Sequence, residues 1–135
     1  MKVLNKLKRT GTIFMASMIV ILSISTISYA SPQLYFSEEG IGIEVHNPVD
    51  PAISVYSFIN DPAVSVSGGS LWTTWNTSNN TFRANYKHAS KTHRCSATND
   101  STRIARSAWE PKGITAISPW LDQTLIGNKV WGATK

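Results

Sequence analysis

The chain has 135 residues, one cysteine and a formal net charge of +5. That length favours one domain over two, and a single thiol excludes an internal disulfide, so the fold must rely on burial and backbone pairing. The charge is unevenly placed. Residues 1–30 hold four cations and no acid, residues 31–67 hold five acids and no Lys or Arg, and residues 68–135 hold nine cations and three acids. Such asymmetry indicates segments with separate roles.

Residues 1–30 have the pattern of a cleaved signal peptide. Residues 1–12 are basic, Ile13–Ile27 carries no charge, and Ser28-Tyr29-Ala30 presents the small residues that a signal peptidase reads. We therefore place the cut after Ala30, which predicts a secreted product that begins at Ser31. A membrane anchor is the alternative, but the apolar run is shorter than the roughly 20 residues that span a bilayer.

Residues 31–67 form an acidic stretch without tryptophan. Short alternations of apolar and polar residues, typical of half-buried strands, fall at 41–45, 53–55 and 64–66, between turns that contain proline. This acidic lead-in is either an added sheet layer or a partly ordered pro-region, and the sequence leaves both readings open.

Residues 68–135 are predicted to be the compact module, because they contain all five tryptophans and so small a core needs large side chains. Apolar residues alternate with polar ones from Phe82 to His88, and no sustained helical period appears after residue 30. We therefore predict an all-β fold, a small antiparallel β-sandwich or barrel without disulfides. Trp72, Trp75 and Trp109 are expected in its core. For Trp120 and Trp131 the sequence favours a core position and a membrane-interface position equally.

Ionisable side chains are most concentrated in residues 86–98. Read as a hairpin, this stretch has Tyr86 and His88 on one face of the first strand and Lys91 and His93 on one face of the second. The hairpin would bring two imidazoles and several cations together. Cys95 is interpreted as a small buried apolar residue, with a metal site or a Cys–His nucleophile pair as weaker alternatives.

The order of motifs in residues 68–135 resembles the lactococcin 972-like bacteriocin family. Gly-Gly is followed closely by Trp, then by Tyr-x-His and Ser-Lys-Thr-His, by Arg-Ser-x-Trp, and by Gly-Asn-Lys-x-aromatic near the end. The residues that carry the resemblance are Gly68, Gly69, Trp72, Tyr86, His88, Ser90–His93, Arg106, Ser107, Trp109, Gly113, Ala116, Gly127, Asn128, Lys129 and Trp131.

This resemblance implies a β-sandwich secreted by a Gram-positive bacterium, with antibacterial activity against related strains. It further implies action on the cell-wall precursor lipid II that blocks septum formation, no cofactor, no catalysis and no nucleic-acid partner. The producer of such a toxin is expected to carry a membrane-embedded immunity transporter. The other function class is a secreted structural or adhesion module that does not kill.

Lipid II carries a pyrophosphate, and Lys, Arg and His side chains supply the charge and donors that phosphate groups need. We therefore predict that the cations and imidazoles of this region form a target-binding patch, against the alternative of ordinary solvated sheet positions. The predicted target-binding residues are Tyr86, Lys87, His88, Lys91, His93, Arg94 and Arg106, with Trp120 and Trp131 at the membrane interface and no catalytic or metal-ligating residue.

Overall fold

The computed structural model describes residues 31–48 and 58–135. The predicted signal peptide and the alternation at 53–55 lie outside these described residues. The described chain forms eleven β-strands: β1 Leu34–Ser37, β2 Gly40–Glu44, β3 Phe58–Asn60, β4 Val64–Val66, β5 Gly69–Asn76, β6 Thr81–Lys87, β7 His93–Thr98, β8 Ile104–Arg106, β9 Thr115–Ile117, β10 Leu121–Asp122 and β11 Lys129–Thr134.

The strands form two antiparallel sheets, which confirms the all-β, sandwich-like, disulfide-free prediction. The first sheet has the order β1-β2-β11-β7-β8. The second sheet is built on the long pair β5 and β6. β3 and β4 both pair with the outer side of β5, and β9 and β10 both pair with the outer side of β6.

Each edge of the second sheet is therefore one strand interrupted in the middle. Pro62 separates β3 from β4, and Pro119 separates β9 from β10. Proline cannot donate to the ladder, so an edge is where a sheet tolerates it. Polar groups bridge the breaks, because the amide of Asp61 donates to Thr73 O at 3.0 Å and the amide of Ala84 donates to Ser118 Oγ at 3.0 Å.

The core lies between the sheets. Leu71, Trp75 and Phe82 enter it from the second sheet, and Cys95 and Val130 enter it from the first; all five are at most 1% exposed. The Trp75 indole donates to Asp61 Oδ2 at 2.8 Å, which satisfies its N–H where the ring meets the sheet edge. The core position predicted for Trp75 is confirmed.

The hairpin predicted for residues 86–98 was wrong. β6 belongs to the second sheet and β7 to the first, so the chain crosses between the layers over residues 88–92 instead of pairing with itself. The two strands face each other across the core. The sequence does not distinguish the two arrangements, because a turn between two alternating runs has the same pattern in a hairpin and in a crossing between layers.

The described part of the acidic segment supplies strands to both sheets. β2 lies between β1 and β11 and carries Ile43 into the core, while β4 pairs with β5 and carries Val66. Val45, which follows β2, is also buried, and its amide donates to Asn128 O at 2.9 Å. These residues contribute hydrophobic burial and backbone pairing to the module itself.

A chain of residues 68–135 alone is therefore expected to be much less stable than residues 31–135. It loses the burial of Ile43, Val45 and Val66, worth about 1.5–3 kcal/mol for each side chain, out of a typical total of about 5–15 kcal/mol. It also leaves β11 and β5 as open edges. Thermal unfolding followed by circular dichroism checks this; equal melting temperatures for the two chains would contradict it.

Candidate functional site

Three chain segments meet at one end of the sandwich: the crossing 88–92, the loop 110–114 and residue 135. The amide of Gly113 donates to His88 O at 2.8 Å, and the amide of Lys135 donates to Thr92 O at 3.0 Å. The backbones of His93 and Glu110 exchange hydrogen bonds of 3.0 and 2.7 Å. These long-range bonds hold the three segments together as one surface.

Four exposed lysines share this surface, and we call it the lysine end: Lys87, Lys91, Lys112 and Lys135. Lys87 ends β6 and pairs in register with Thr115, directly after the 110–114 loop. Within residues 31–48 and 58–135, none of the four ammonium groups lies within salt-bridge distance of a carboxylate. Glu110 borders this surface through its backbone pairing with His93, and the four lysines outnumber it.

His88, predicted to bind the target, is 4% exposed and organises the crossing. Its Nδ1 accepts the amides of Ser90 and Lys91 at 3.2 and 3.1 Å, so this nitrogen carries no proton. Its Nε2 then carries the proton and donates to Ser67 O at 2.9 Å. The ring fixes the turn that presents Lys91 and has no free nitrogen for a ligand.

His93, also predicted to bind the target, is completely buried. Its Nδ1 lies 2.9 Å from Lys91 O, and its Nε2 lies 2.7 Å from Ile114 O. A carbonyl oxygen only accepts, so both contacts are hydrogen bonds when both ring nitrogens carry a proton, and the neutral ring makes one of them. Through these contacts His93 ties the crossing to the 110–114 loop.

Tyr86, the third aromatic member of the predicted patch, lies in the core with 0% exposure. Its hydroxyl donates to Val66 O at 2.7 Å, its ring packs against Gly69 and Gly132, and burial raises the pKa of the phenol. The ring centroids of His88 and His93 lie 6.3 and 5.5 Å from that of Tyr86. The structure thus groups the three rings beneath the lysine end rather than on it.

Arg94 and Arg106, also predicted to bind the target, meet Glu39 on the outer face of the first sheet. The Arg106 guanidinium donates from Nε to both Glu39 oxygens, at 2.9 and 2.8 Å, and from Nη2 to Oε1. The Ser96 hydroxyl donates to Glu39 Oε2 at 2.6 Å, and Arg94 Nη2 lies 3.9 Å from the same oxygen. Glu39 is 5% exposed, and the Arg106 hydrogen bonds hold the pKa of its carboxyl below its usual range.

The tryptophan rings are distributed differently from the prediction. Trp109, expected in the core, is 38% exposed, and the cations of Arg94 and Lys135 lie 4.8 and 4.6 Å from its ring centroid. It therefore borders the lysine end, where cation–π attraction holds it. Trp120 is 36% exposed between Phe58 and Arg83, whereas Trp131 is 7% exposed.

Trp131 lies on the outer face of the first sheet above Gly42, where any Cβ would collide with the indole at 2.5 Å. Its Nε1 donates to Thr98 Oγ1 at 2.8 Å, and it lines a depression of about 300 Å³ with Ile104 and Arg106. The membrane-interface role of Trp120 and Trp131 stays a prediction. A membrane-interface role for Trp131 would require its ring to move away from Gly42 and Thr98.

Cys95 occupies the core with 0% exposure, as interpreted from the sequence. Its thiol donates to Ala84 O at 3.2 Å and lies 3.3 Å from Ala116 O, and burial raises its pKa to about 12. Among the described residues, no three His, Cys, Asp or Glu side chains are grouped so as to hold a metal ion.

Comparison with models of protein families, with curated proteins and with solved structures finds no match. In the part of the chain that the structure describes, no helix is long and apolar enough to cross a bilayer.

Lys87 and Lys91 were predicted to bind the target, whereas Lys112, Lys135 and Glu39 were not. The composition of Pro111-Lys112-Gly113 is typical of a turn, yet nothing local in the sequence indicates that this turn packs beside the crossing at residue 88. Glu39 and Arg106 lie 67 residues apart. Their opposite charges, in an acidic and a basic segment, were the one available signal.

Replacing Glu39 with Gln is expected to cost about 1.5–3 kcal/mol of stability, the usual worth of hydrogen bonds to a charged group. Because the folded-state pKa of Glu39 is lowered, its contribution is present above the ordinary value of 4.5 and is lost as the pH falls through the folded pKa. Denaturant unfolding of wild type and E39Q at several pH values checks this.

The matched control for that measurement is E44Q, because Glu44 ends β2 and, among the described residues, its carboxylate accepts a single hydrogen bond, from the Tyr35 hydroxyl at 3.1 Å. E44Q is expected to stay within about 0.5 kcal/mol of wild type. A stability gap between wild type and E39Q that does not shrink in acid would contradict the ion-pair assignment.

The Cys95 thiol is expected to be unreactive in the native protein at neutral pH, because the thiolate is the nucleophile and burial raises the thiol pKa to about 12. Alkylation by iodoacetamide, followed by intact mass, checks this. The same chain in guanidinium chloride should be labelled fully and serves as the control. Rapid labelling of the folded protein would show that the thiol is accessible.

Proposed function

We propose that this chain is a secreted antibacterial protein, a bacteriocin, that acts on the cell envelope of related Gram-positive bacteria. It binds an anionic wall precursor such as lipid II and thereby blocks septum formation, without a cofactor and without catalysis. The export signal pattern and the ordered motifs that resemble the lactococcin 972-like family support this proposal. The producer would protect itself with a membrane-embedded immunity transporter.

The observation that carries the proposal is the lysine end. Of the cations predicted to bind the target, Arg94 and Arg106 are engaged by Glu39, while Lys87 and Lys91 remain exposed and are joined by Lys112 and Lys135. Clustered ammonium groups without paired carboxylates attract phosphate as point charges. Near an anionic surface each such residue contributes about 1 kcal/mol, so four of them give useful affinity.

A rigid attachment makes these charges effective. Lys91 and Lys112 stand on backbone segments that His88 and His93 tie to the core. Little backbone entropy is then lost when the target binds, and preorganised surfaces of this kind convert more of their contact energy into affinity. The buried histidines support target binding as positioning residues in this proposal, and the target contacts the lysines.

A secreted adhesion module that does not kill is the second candidate. The observation that favours it is the turn at residues 124–128, which holds Leu125 at 97% and Ile126 at 61% exposure. Asn128 braces this turn, because its Oδ1 accepts the Thr124 amide at 2.9 Å and its Nδ2 donates to Thr124 O at 2.6 Å. Inhibition of related Gram-positive strains by purified protein separates the two candidates.

The double variant K91Q/K112Q is expected to lose about 10- to 30-fold in potency in a growth-inhibition assay, from about 1 kcal/mol for each lost cation. The variant R103Q/K129Q removes the same net charge elsewhere, since Arg103 pairs with Asp122 and Lys129 lies over the Tyr35 ring. It should retain wild-type potency. Equal losses in both variants, with unchanged circular dichroism, would contradict a specific role for the lysine end.

A further inference from the structure

The 110–114 loop holds an aliphatic side chain out into solvent at the lysine end. Ile114 is 52% exposed, and its amide donates to Pro111 O at 3.2 Å to close the turn. Gly113 allows this turn with φ at +82°, where a side chain would be strained. Below the turn, His93 Nε2 lies 2.7 Å from Ile114 O, and the Gly113 amide donates to His88 O. The loop is fixed on its inner side and presents Ile114 outward.

The backbone places three lysines close to Ile114 in sequence or register. Lys112 lies two residues before Ile114, and Lys87 pairs with Thr115, the residue after it. Lys91 is joined to Ile114 through the His93 ring, which contacts the carbonyl oxygens of both. The lysine end is thus a rigid aliphatic tip within a group of ammonium groups.

Trp109 adds an aromatic ring to the lysine end. Its ring is 38% exposed and lies against Lys135 and Arg94 at 4.6 and 4.8 Å. Tryptophan favours the headgroup level of a bilayer, lysine extends its ammonium group to the phosphates there, and an aliphatic side chain gains by entering the acyl boundary. All three preferences are met at one surface.

A second exposed aliphatic side chain, Leu125, allows the charges around the two tips to be compared. Leu125 is 97% exposed on the braced turn that precedes β11, whereas Lys135 follows β11, so the two tips lie at opposite ends of the sandwich. Both charge signs occur near Leu125: the Asp100 amide donates to Thr124 Oγ1 at 3.1 Å, Asp122 pairs with Arg103, and Lys129 pairs in register with Glu44. Exposure alone would favour Leu125, but acids offset the cations near it, so of these two tips Ile114 is the one that complements negative charge.

From these contacts we infer that the lysine end docks on an anionic lipid bilayer, with Ile114 entering the acyl boundary and the four lysines among the headgroups. A second copy of this chain is a poor occupant because its lysine end carries the same charge. Bilayer docking rests on the proposed function, because it gives the lysine end of that proposal a specific partner. It adds an apolar insertion that binding of a soluble phosphate would not use.

The test compares I114S with L125S in the secreted chain, using vesicles of phosphatidylcholine alone and of phosphatidylcholine mixed with phosphatidylglycerol. Wild type is expected to sediment with the mixed vesicles only, and less so as salt is raised. I114S should lower that partition about tenfold, from the burial of half an isoleucine side chain, and L125S should leave it unchanged. Both substitutions are on the surface and should keep the wild-type melting temperature; I114T provides a second variant that retains the β-branch.

Equal effects of I114S and L125S, or wild-type binding without preference for phosphatidylglycerol, would overturn the inference. Growth inhibition by the same samples separates it from the proposed function. Killing without any vesicle binding would overturn bilayer docking and leave the antibacterial proposal standing. Vesicle binding that depends on Ile114, without killing across a broad panel of strains, would support docking and overturn the antibacterial proposal.

Discussion

The two carbonyl contacts of His93 are the constraint on which the lysine end depends. The ring is fully buried between the sheets, and its nitrogens lie against Lys91 O and Ile114 O. A buried polar ring without a partner would be costly, so the ring needs at least one of these carbonyl oxygens beside it, and the neutral ring donates to one of the two. His88 reinforces it by accepting two amides of the crossing. The buried rings of His88 and His93 therefore help to fix the loops that carry Lys91 and Lys112.

The acidic and basic segments of the sequence interleave in space, and this determines which cations remain free. Glu39, from the acidic segment, is held by Arg106 and Arg94 on the outer face of the first sheet. Asp122 partly offsets Arg103 at the opposite end. These pairings leave the excess positive charge concentrated at the lysine end, where the described residues show no ion pair for the ammonium groups. The uneven charge of the sequence thus becomes a polarised surface.

Local patterns in the sequence predicted the architecture well because strand alternation and turn residues are local properties. The alternations at 41–45, 64–66 and 82–88 match β2, β4 and β6 to within one residue. The site was predicted only in part, because its geometry depends on which sheet each strand joins. The sequence around His88 and His93 fits two arrangements: exposed ligands in a hairpin, or buried rings in a crossing between layers. The structure has the second arrangement. The size of Trp109 favours a core position, yet two cations hold its ring at the surface.

The most direct measurement is a lysine footprint of the protein on susceptible cells, with an amine-reactive label read residue by residue by mass spectrometry. If the lysine end carries the contact, Lys87, Lys91, Lys112 and Lys135 lose reactivity on binding, while Lys129, which lies over the Tyr35 ring on the first sheet, keeps it. Protection of Lys129 equal to that of the four, or bound protein with all five lysines as reactive as in solution, would contradict this surface as the site of action.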